Sequence, residues 1–145
     1  MKTVKDILAD KGKRVITIHQ DKTVLEALTC LVEAGIGAVV VVDEADKLAG
    51  IFSERDLIRI IAQKKASVLS LMVKDVMTSK VICIAPEQTV DECMALMTEK
   101  RFRHLPVMVD GSLQGLVSIG DLVKAAMADK EFLIEQLTHY IKSGG

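Results

Sequence analysis

Gly50-Ile51-Phe52-Ser53-Glu54-Arg55-Asp56 returns 65 positions later as Gly115-Leu116-Val117-Ser118-Ile119-Gly120-Asp121, and this doubled segment decides how the 145-residue chain is read. At the same offset Leu48 and Leu57 recur as Leu113 and Leu122. One residue is dropped upstream, where the offset becomes 66: Val15, Ile16, Ile18, Thr23, Val24, Glu26, Glu33 and Val41 match Val81, Ile82, Ile84, Thr89, Val90, Glu92, Glu99 and Val107. A shorter echo, Val4-Lys5-Asp6 against Val73-Lys74-Asp75, opens each copy. Self-similarity at a fixed spacing marks a duplicated structural unit. The chain is therefore one unit written twice.

Each copy predicts strand, helix, strand, strand, helix. The β-branched runs Val15 to Ile18 and Val81 to Ile84 suit strands. Thr23-Val24-Leu25-Glu26 and Thr89-Val90-Asp91-Glu92 both fit the S/T-x-x-E capping box, which satisfies the first orphan amides of a helix. Apolar residues follow at helical spacing, with Val24, Leu28, Leu31 and Val32 in one copy and Val90, Met94 and Met97 in the other; methionines so placed fill a core. Gly35 is expected to end the first helix. Ala38 to Val42 shows no alternation and predicts a strand buried on both faces, with Leu105 to Val109 as its counterpart. Turns at Asp43 to Lys47 and at Asp110-Gly111-Ser112 lead to last strands at Ala49 to Phe52 and Gln114 to Val117. The closing helix of the first copy shows Leu57, Ile60 and Ile61 on one face, and Ala66 to Val73 is expected to pack as a link. A last helix reaches Lys142 with Leu133, Leu137, Tyr140 and Ile141 on one side, before a Ser143-Gly144-Gly145 tail.

Half of the residues are apolar and 27% are charged, as in globular chains. Aromatic residues make up only 3%, so the stacking platforms of single-strand nucleic-acid binders are missing. Nineteen basic and twenty acidic residues leave a formal charge of −1, with no general field for a polyanion. Cys30, Cys83 and Cys93, with His19, His104 and His139, form no zinc spacing, and three cysteines suit a reducing compartment. No apolar run reaches the roughly 18 residues of a membrane span, and no signal peptide opens the chain. The expectation is a cytoplasmic protein, without nucleic-acid or membrane partners and without a metal.

The chemistry belongs where the last strand of each copy meets its last helix. A serine with an aspartate three residues on is a helix cap. The same joint also offers free amides that bind anions, a glycine that allows close approach, and a carboxylate that can accept two hydrogen bonds from a vicinal diol. A ribose phosphate uses all three. No nucleophile or base is arranged with partners as an active site would need.

Gly-x-x-Ser-x-x-Asp closing a βαββα repeat, with His104-Leu105-Pro106-Val107 opening the middle strand of the second copy, resembles a tandem CBS-domain pair, or Bateman module, over about residues 4 to 128. The resemblance implies an α/β (α+β) fold of two βαββα CBS repeats packed by pseudo-twofold symmetry through their sheets. It divides the chain into a first repeat at 1–65, a linker at 66–72, a second repeat at 73–128, and a C-terminal helix and tail at 129–145. It implies two clefts taking an adenine nucleotide, AMP first, with ADP, ATP or NAD(H) as the other choices. Asp56 and Asp121 would hold ribose, Ser53 and Ser118 would lie near phosphate, and Ile16-Thr17-Ile18 and Ile82-Cys83-Ile84 would flank the base. A basic pair precedes the middle strand in nucleotide-sensing members: Arg103-His104 stands there in the second copy, followed by Leu105 and Pro106, but Gly37-Ala38 in the first. The Gly37-Ala38 side is thus expected to leave room for a bulkier group. Arg55 and Arg59 are further phosphate partners, whereas Lys100 and Arg101 read as a solvated helix end. The expected function is a stand-alone, non-catalytic nucleotide sensor in signal transduction, a homodimer acting on a regulated protein that the residues do not identify. A ligand-free dimerisation module and a binder of an S-adenosyl compound are the alternatives.

Overall fold

The computed structural model describes residues 2–12, 15–64 and 67–142, with the backbone alone of Lys64, Tyr140 and Lys142. The expected glycine tail, Ala66 of the link and the Tyr140 side chain lie outside this set. In chain order come α1 (Val4–Lys11), β1 (Thr17–His19), α2 (Val24–Ala34), β2 (Ala38–Val42), β3 (Leu48–Ser53), α3 (Glu54–Lys64), a 3-10 turn (Val68–Ser70), α4 (Val73–Val76), α5 (Val90–Lys100), β4 (His104–Val109), β5 (Ser112–Ser118) and α6 (Ile119–Lys142). None of the described helices is long and apolar enough to cross a membrane.

Local chemistry sets these boundaries. The Thr23 hydroxyl accepts from the Glu26 amide and the Thr89 hydroxyl from the Glu92 amide, each at 3.1 Å. Gly35 ends α2 in the left-handed conformation, at φ +65°, which costs glycine nothing. In the first sheet β1 runs parallel to β2 and β2 antiparallel to β3. The second sheet pairs β4 with β5, and the expected strand at 81–84 shrinks to one parallel bridge between Ile84 and Val107. Two helical stripes also depart from expectation. Ala27 is buried between Val24 and Leu31, leaving Val32 at 79% exposure, and Ile61 is half exposed while Ile60 is buried.

Two cores form, and each borrows its lid from the other copy. Val24, Leu31, Val39, Val41, Phe52 and Ile60 of the first repeat close over Val68, Val73 and Val76, so the link packs as expected. Ile84, Val90, Met97, Leu105, Val107, Val117 and Leu122 of the second close over Val4, Ile7 and Leu8 of α1. The same hydrogen bonds tie both exchanges: Val4 and Val73 amides donate to Gln88 and Lys22 carbonyls, and Val90 and Val24 amides to Lys2 and Leu71 carbonyls, at 2.8–3.0 Å. Burying a valine or leucine contributes about 1.5–3 kcal/mol, so each core depends on the opposite arm. The other face of β2, with Ala38 and Val40, and Ile51 of β3 are also buried. Ala38 lines one cavity with Gly115 and Leu116, and Ile51 another with Val81 and Arg103, at the joint between the repeats.

Candidate functional site

The strand-to-helix joint explains how each aspartate is held. Ser53 ends β3, and its hydroxyl accepts from the Asp56 amide at 3.4 Å, while its own amide and hydroxyl donate to Asp56 Oδ2 at 2.8 and 3.1 Å. The cap is therefore real, but it uses one carboxylate oxygen. Oδ1 accepts from the Thr78 hydroxyl at 2.8 Å and pairs with the Arg59 guanidinium at 2.9 Å. Arg59 in turn donates to the Val76 carbonyl at 2.9 Å, so α4 and α3 are joined over the carboxylate. Asp56 is the buried charged residue of the described set, at 3% exposure, under an arginine whose side chain is 45% exposed.

This aspartate forms one end of a cleft of about 550 Å³ whose walls come from both repeats. Ile51, Val81 and Phe102 give an apolar side, and Ser53, Arg55, Arg59, Thr78, Arg101, Arg103 and His104 the polar one. Thr78 reaches the site because its backbone pairs with Ile51 beside Gly50. A Cβ on Gly50 would lie 2.6 Å from the Thr78 carbonyl, so only glycine admits this approach.

Burial holds His104 below the ordinary imidazole value, with the Lys11 charge adding to the effect and Asp121 opposing it. The folded state thus prefers neutral His104 and binds fewer protons there than the unfolded chain. Its contribution to stability is complete above pH 6.5 and is lost as pH falls through the lowered folded value. Melting temperature should fall between pH 7.5 and 5.5, and His104→Gln should remove part of that slope; an identical slope in the variant would show that His104 does not carry it.

Arg101 is exposed at its helix end, as expected, and it also borders the cleft. It caps α5 in the left-handed conformation at φ 60°, where the first repeat has Gly35, and its side chain lines the cleft. A non-glycine residue there costs about 1–2 kcal/mol, partly offset in a glycine variant by greater unfolded-state freedom. Arg101→Gly should therefore raise stability by about 0.5–1 kcal/mol, read by denaturant unfolding; a loss of stability would contradict the strain.

The second joint repeats the cap, with Ser118 donating to Asp121 Oδ2 at 2.9 Å and accepting from the Asp121 amide at 3.1 Å. Equivalent backbone bonds, Glu54 to Gly37 and Ile119 to Arg103, confirm that Gly37 and Arg103 hold matching places. The pocket that Asp121 lines is smaller, at about 170 Å³. Leu8, Lys11, Ile16, Ala38 and Leu116 line a cavity of about 130 Å³ on the Ala38 side, whereas the room at Gly37 is a hollow of about 330 Å³. Gly37 itself turns toward Glu54 in a separate hollow. Burial raises the Asp121 pKa, but the Lys11 and Ser118 hydrogen bonds outweigh it and hold the carboxyl below its ordinary value.

The structure thus brings Ser53, Arg55, Asp56, Arg103 and His104 to one cleft, which Ser118 and Asp121 do not line, although Ser118 pairs with His104 in the second sheet. Of the first-strand segments, Ile16 lines a cavity, Thr17 and Cys83 are exposed, and Ile18 and Ile82 lean on the cores. Ile84 and Leu105 belong to the second core and Pro106 is buried in its sheet, so none of the three lines the cleft with its side chain. Thr78, Val81 and Phe102 join the site without having been expected there. The echo that places Val4 opposite Val73 was the available signal for Thr78, since it locates the arm that carries it.

Fold and site define a tandem-repeat α/β module with an inter-repeat cleft. Its two units, residues 4–63 and 73–128, match the CBS domain model, and the chain belongs to the CBS-domain family. It is 38% identical over 150 aligned residues to a mitochondrial CBS domain-containing protein of Arabidopsis thaliana, covering 98% of this chain and 73% of that one. A CBS-domain containing protein of Agrobacterium tumefaciens superposes with a TM-score of 0.83 at 44% identity, over 86% of this chain and 92% of that chain. Two further solved structures, each 28% identical, carry ligands. CBSX2 was solved in complex with AMP (TM-score 0.74; 90% and 99% covered). The CBS domain pair of protein MJ0100 was solved with 5′-methylthioadenosine and S-adenosyl-L-methionine (TM-score 0.78; 89% and 98% covered).

Proposed function

We propose that the chain is a non-catalytic regulatory module that binds a phosphorylated adenine nucleotide in the cleft built on Asp56. The observation that carries this reading is the convergence, in one cavity, of a buried carboxylate, an apolar wall and four guanidinium groups. The base packs against Ile51, Val81 and Phe102. Ribose hydroxyls reach Asp56 Oδ1 once the half-exposed Arg59 swings aside. Arg55, Arg101 and Arg103 take the phosphates, and Ser53 and His104 supply neutral polar contacts. Guanidinium groups bind phosphate through paired hydrogen bonds and repel a sulfonium. AMP, ADP, ATP and NAD(H) therefore fit this cleft better than an S-adenosyl compound, although related proteins have been solved with adenosyl ligands of both kinds.

Thermal shift and calorimetry against AMP, ADP, ATP, NAD(H), S-adenosylmethionine and methylthioadenosine test the reading. A ligand at a hundred times its dissociation constant stabilises the fold by about 2.7 kcal/mol. Stabilisation by the phosphorylated compounds is expected. No response to any of them at millimolar concentration, or a stronger response to S-adenosylmethionine, would overturn it.

The same reading includes a homodimer. Leu25 and Val32 of α2, Ile58 and Ile61 of α3, and Val123 and Met127 of α6 are 41–79% exposed. Exposed apolar side chains on these helices suit burial against a second copy. Sedimentation giving only the 15.8 kDa monomer at micromolar concentration would exclude the dimer.

A further inference from the structure

The two joints carry equivalent aspartates but different partners. The echo that sets Val4 opposite Val73 sets Ala9 opposite Thr78. Ala9 has no hydroxyl to offer, and Asp121 instead takes Lys11, two residues further along α1. The Lys11 ammonium lies 2.7 Å from Asp121 Oδ2 and also donates to the Leu116 carbonyl at 2.9 Å.

The position of that side chain divides the second cleft. Lys11 borders both the apolar cavity of about 130 Å³, beside Ile16 and Ala38, and the pocket of about 170 Å³ at Asp121. In the first cleft the equivalent spaces run together, from Val81 and Phe102 to Asp56. We infer that Lys11 is a built-in occupant of the second cleft, standing between the base slot and the ribose carboxylate, so that the chain presents one continuous adenosine site, where Arg59 lies over the carboxylate, and one site divided by a lysine latch. This rests on the nucleotide reading above.

The ammonium bonds Asp121 Oδ2, the oxygen that the Ser118 amide already holds, and a ligand that spans both spaces enters only by displacing it. With the Lys11 side chain 40% exposed, the latch is breakable rather than permanent. Entry at Asp121 therefore releases the end of α1, the arm that covers the core of the second repeat.

Adenosine is the probe, because it carries base and diol without a phosphate that Lys11 could grip. Methyl NMR of Ile51 reads the first cleft, and that of Ile16 and Ala38 the second. In the parent, Ile51 should respond at lower adenosine concentration than Ile16. Lys11→Ala should tighten the Ile16 response roughly fivefold, the size of a half-exposed ion pair, while Lys11→Arg, which keeps the cation, should leave it weak. Equal response of both clefts in the parent, or an unchanged Ile16 midpoint in Lys11→Ala, would overturn the latch. If Ile51 responds in none of these proteins, the nucleotide reading falls and the latch is judged without ligand by amine acetylation. Lys11 should then react more slowly in the parent than in Asp121→Asn, and equal rates would overturn it.

Discussion

Leu8→Ala is expected to cost about 2–5 kcal/mol of folding stability, although the residue lies far in sequence from the core it fills. Leu8 is 7% exposed and packs with Ile84, Val107, Val117 and Leu122 of the second repeat. A Cβ on the paired glycine, Gly115, would come within 2.5 Å of Leu8 Cδ2, so strand and side chain are in close contact. Removing three carbons leaves a void that β5 cannot collapse into without breaking its pairing with β4. The neighbouring amides that hold α1, Val4 to Gln88 and Val90 to Lys2, would still fix the arm, so the cavity persists. Urea unfolding of Leu8→Ala should show a lower midpoint, with Glu87→Ala, at an exposed turn position, within about 0.5 kcal/mol of the parent. A cost for Leu8→Ala as small as that control would mean that the arm does not complete the second core.

That arm exchange also marks the limit of what the residues disclose on their own. The caps at Thr23 and Thr89, the left-handed Gly35 and the doubly buried β2 follow from local rules, because side chains within four positions of each other decide them. Which core an amphipathic segment covers is not a local property. Val4 and Val73 show the same apolar pattern in their own copies, and only tertiary packing sends each to the other. The short strand at 81–84 fails for a related reason, since its β-branched residues meet the sheet only at Ile84.

The site was legible to a similar degree. Ser53, Asp56, Arg103 and His104 stand out because the duplication compares them with their own counterparts, and the structure brings them into one cleft. Arg101 was read as a solvated charge, because a lysine-arginine pair at a helix end is favoured by the helix dipole in any case. It is indeed exposed, and what composition does not reveal is its left-handed backbone and its place beside the cleft. Val32 and Ile61 carry helical spacing yet face outward, so periodicity identified an apolar face without saying what covers it.

Arg103→Ala is expected to weaken AMP by roughly ten- to a hundredfold, the loss of a charge-assisted contact of about 1.5–3 kcal/mol. The side chain reaches the Asp56 cleft from the second repeat, just before β4, and its counterpart Gly37 has no side chain to offer. Its carbonyl accepts from the Ile119 amide at 2.9 Å, so the backbone that aims it is pinned to the start of α6. The substitution removes an exposed group and leaves that bond intact; melting temperature without ligand should therefore stay close to the parent value. Arg103→Lys keeps the charge but not the planar fork, and should fall between parent and alanine variant. Adenosine has no phosphate, and its affinity should be the same in all three proteins. Raising ionic strength should weaken AMP in the parent more than in Arg103→Ala, because fewer charges face the phosphate in the variant. Calorimetry in which Arg103→Ala binds AMP as the parent does, or loses adenosine as much as AMP, would show that Arg103 is a surface charge and that phosphate is read by other groups in the cleft.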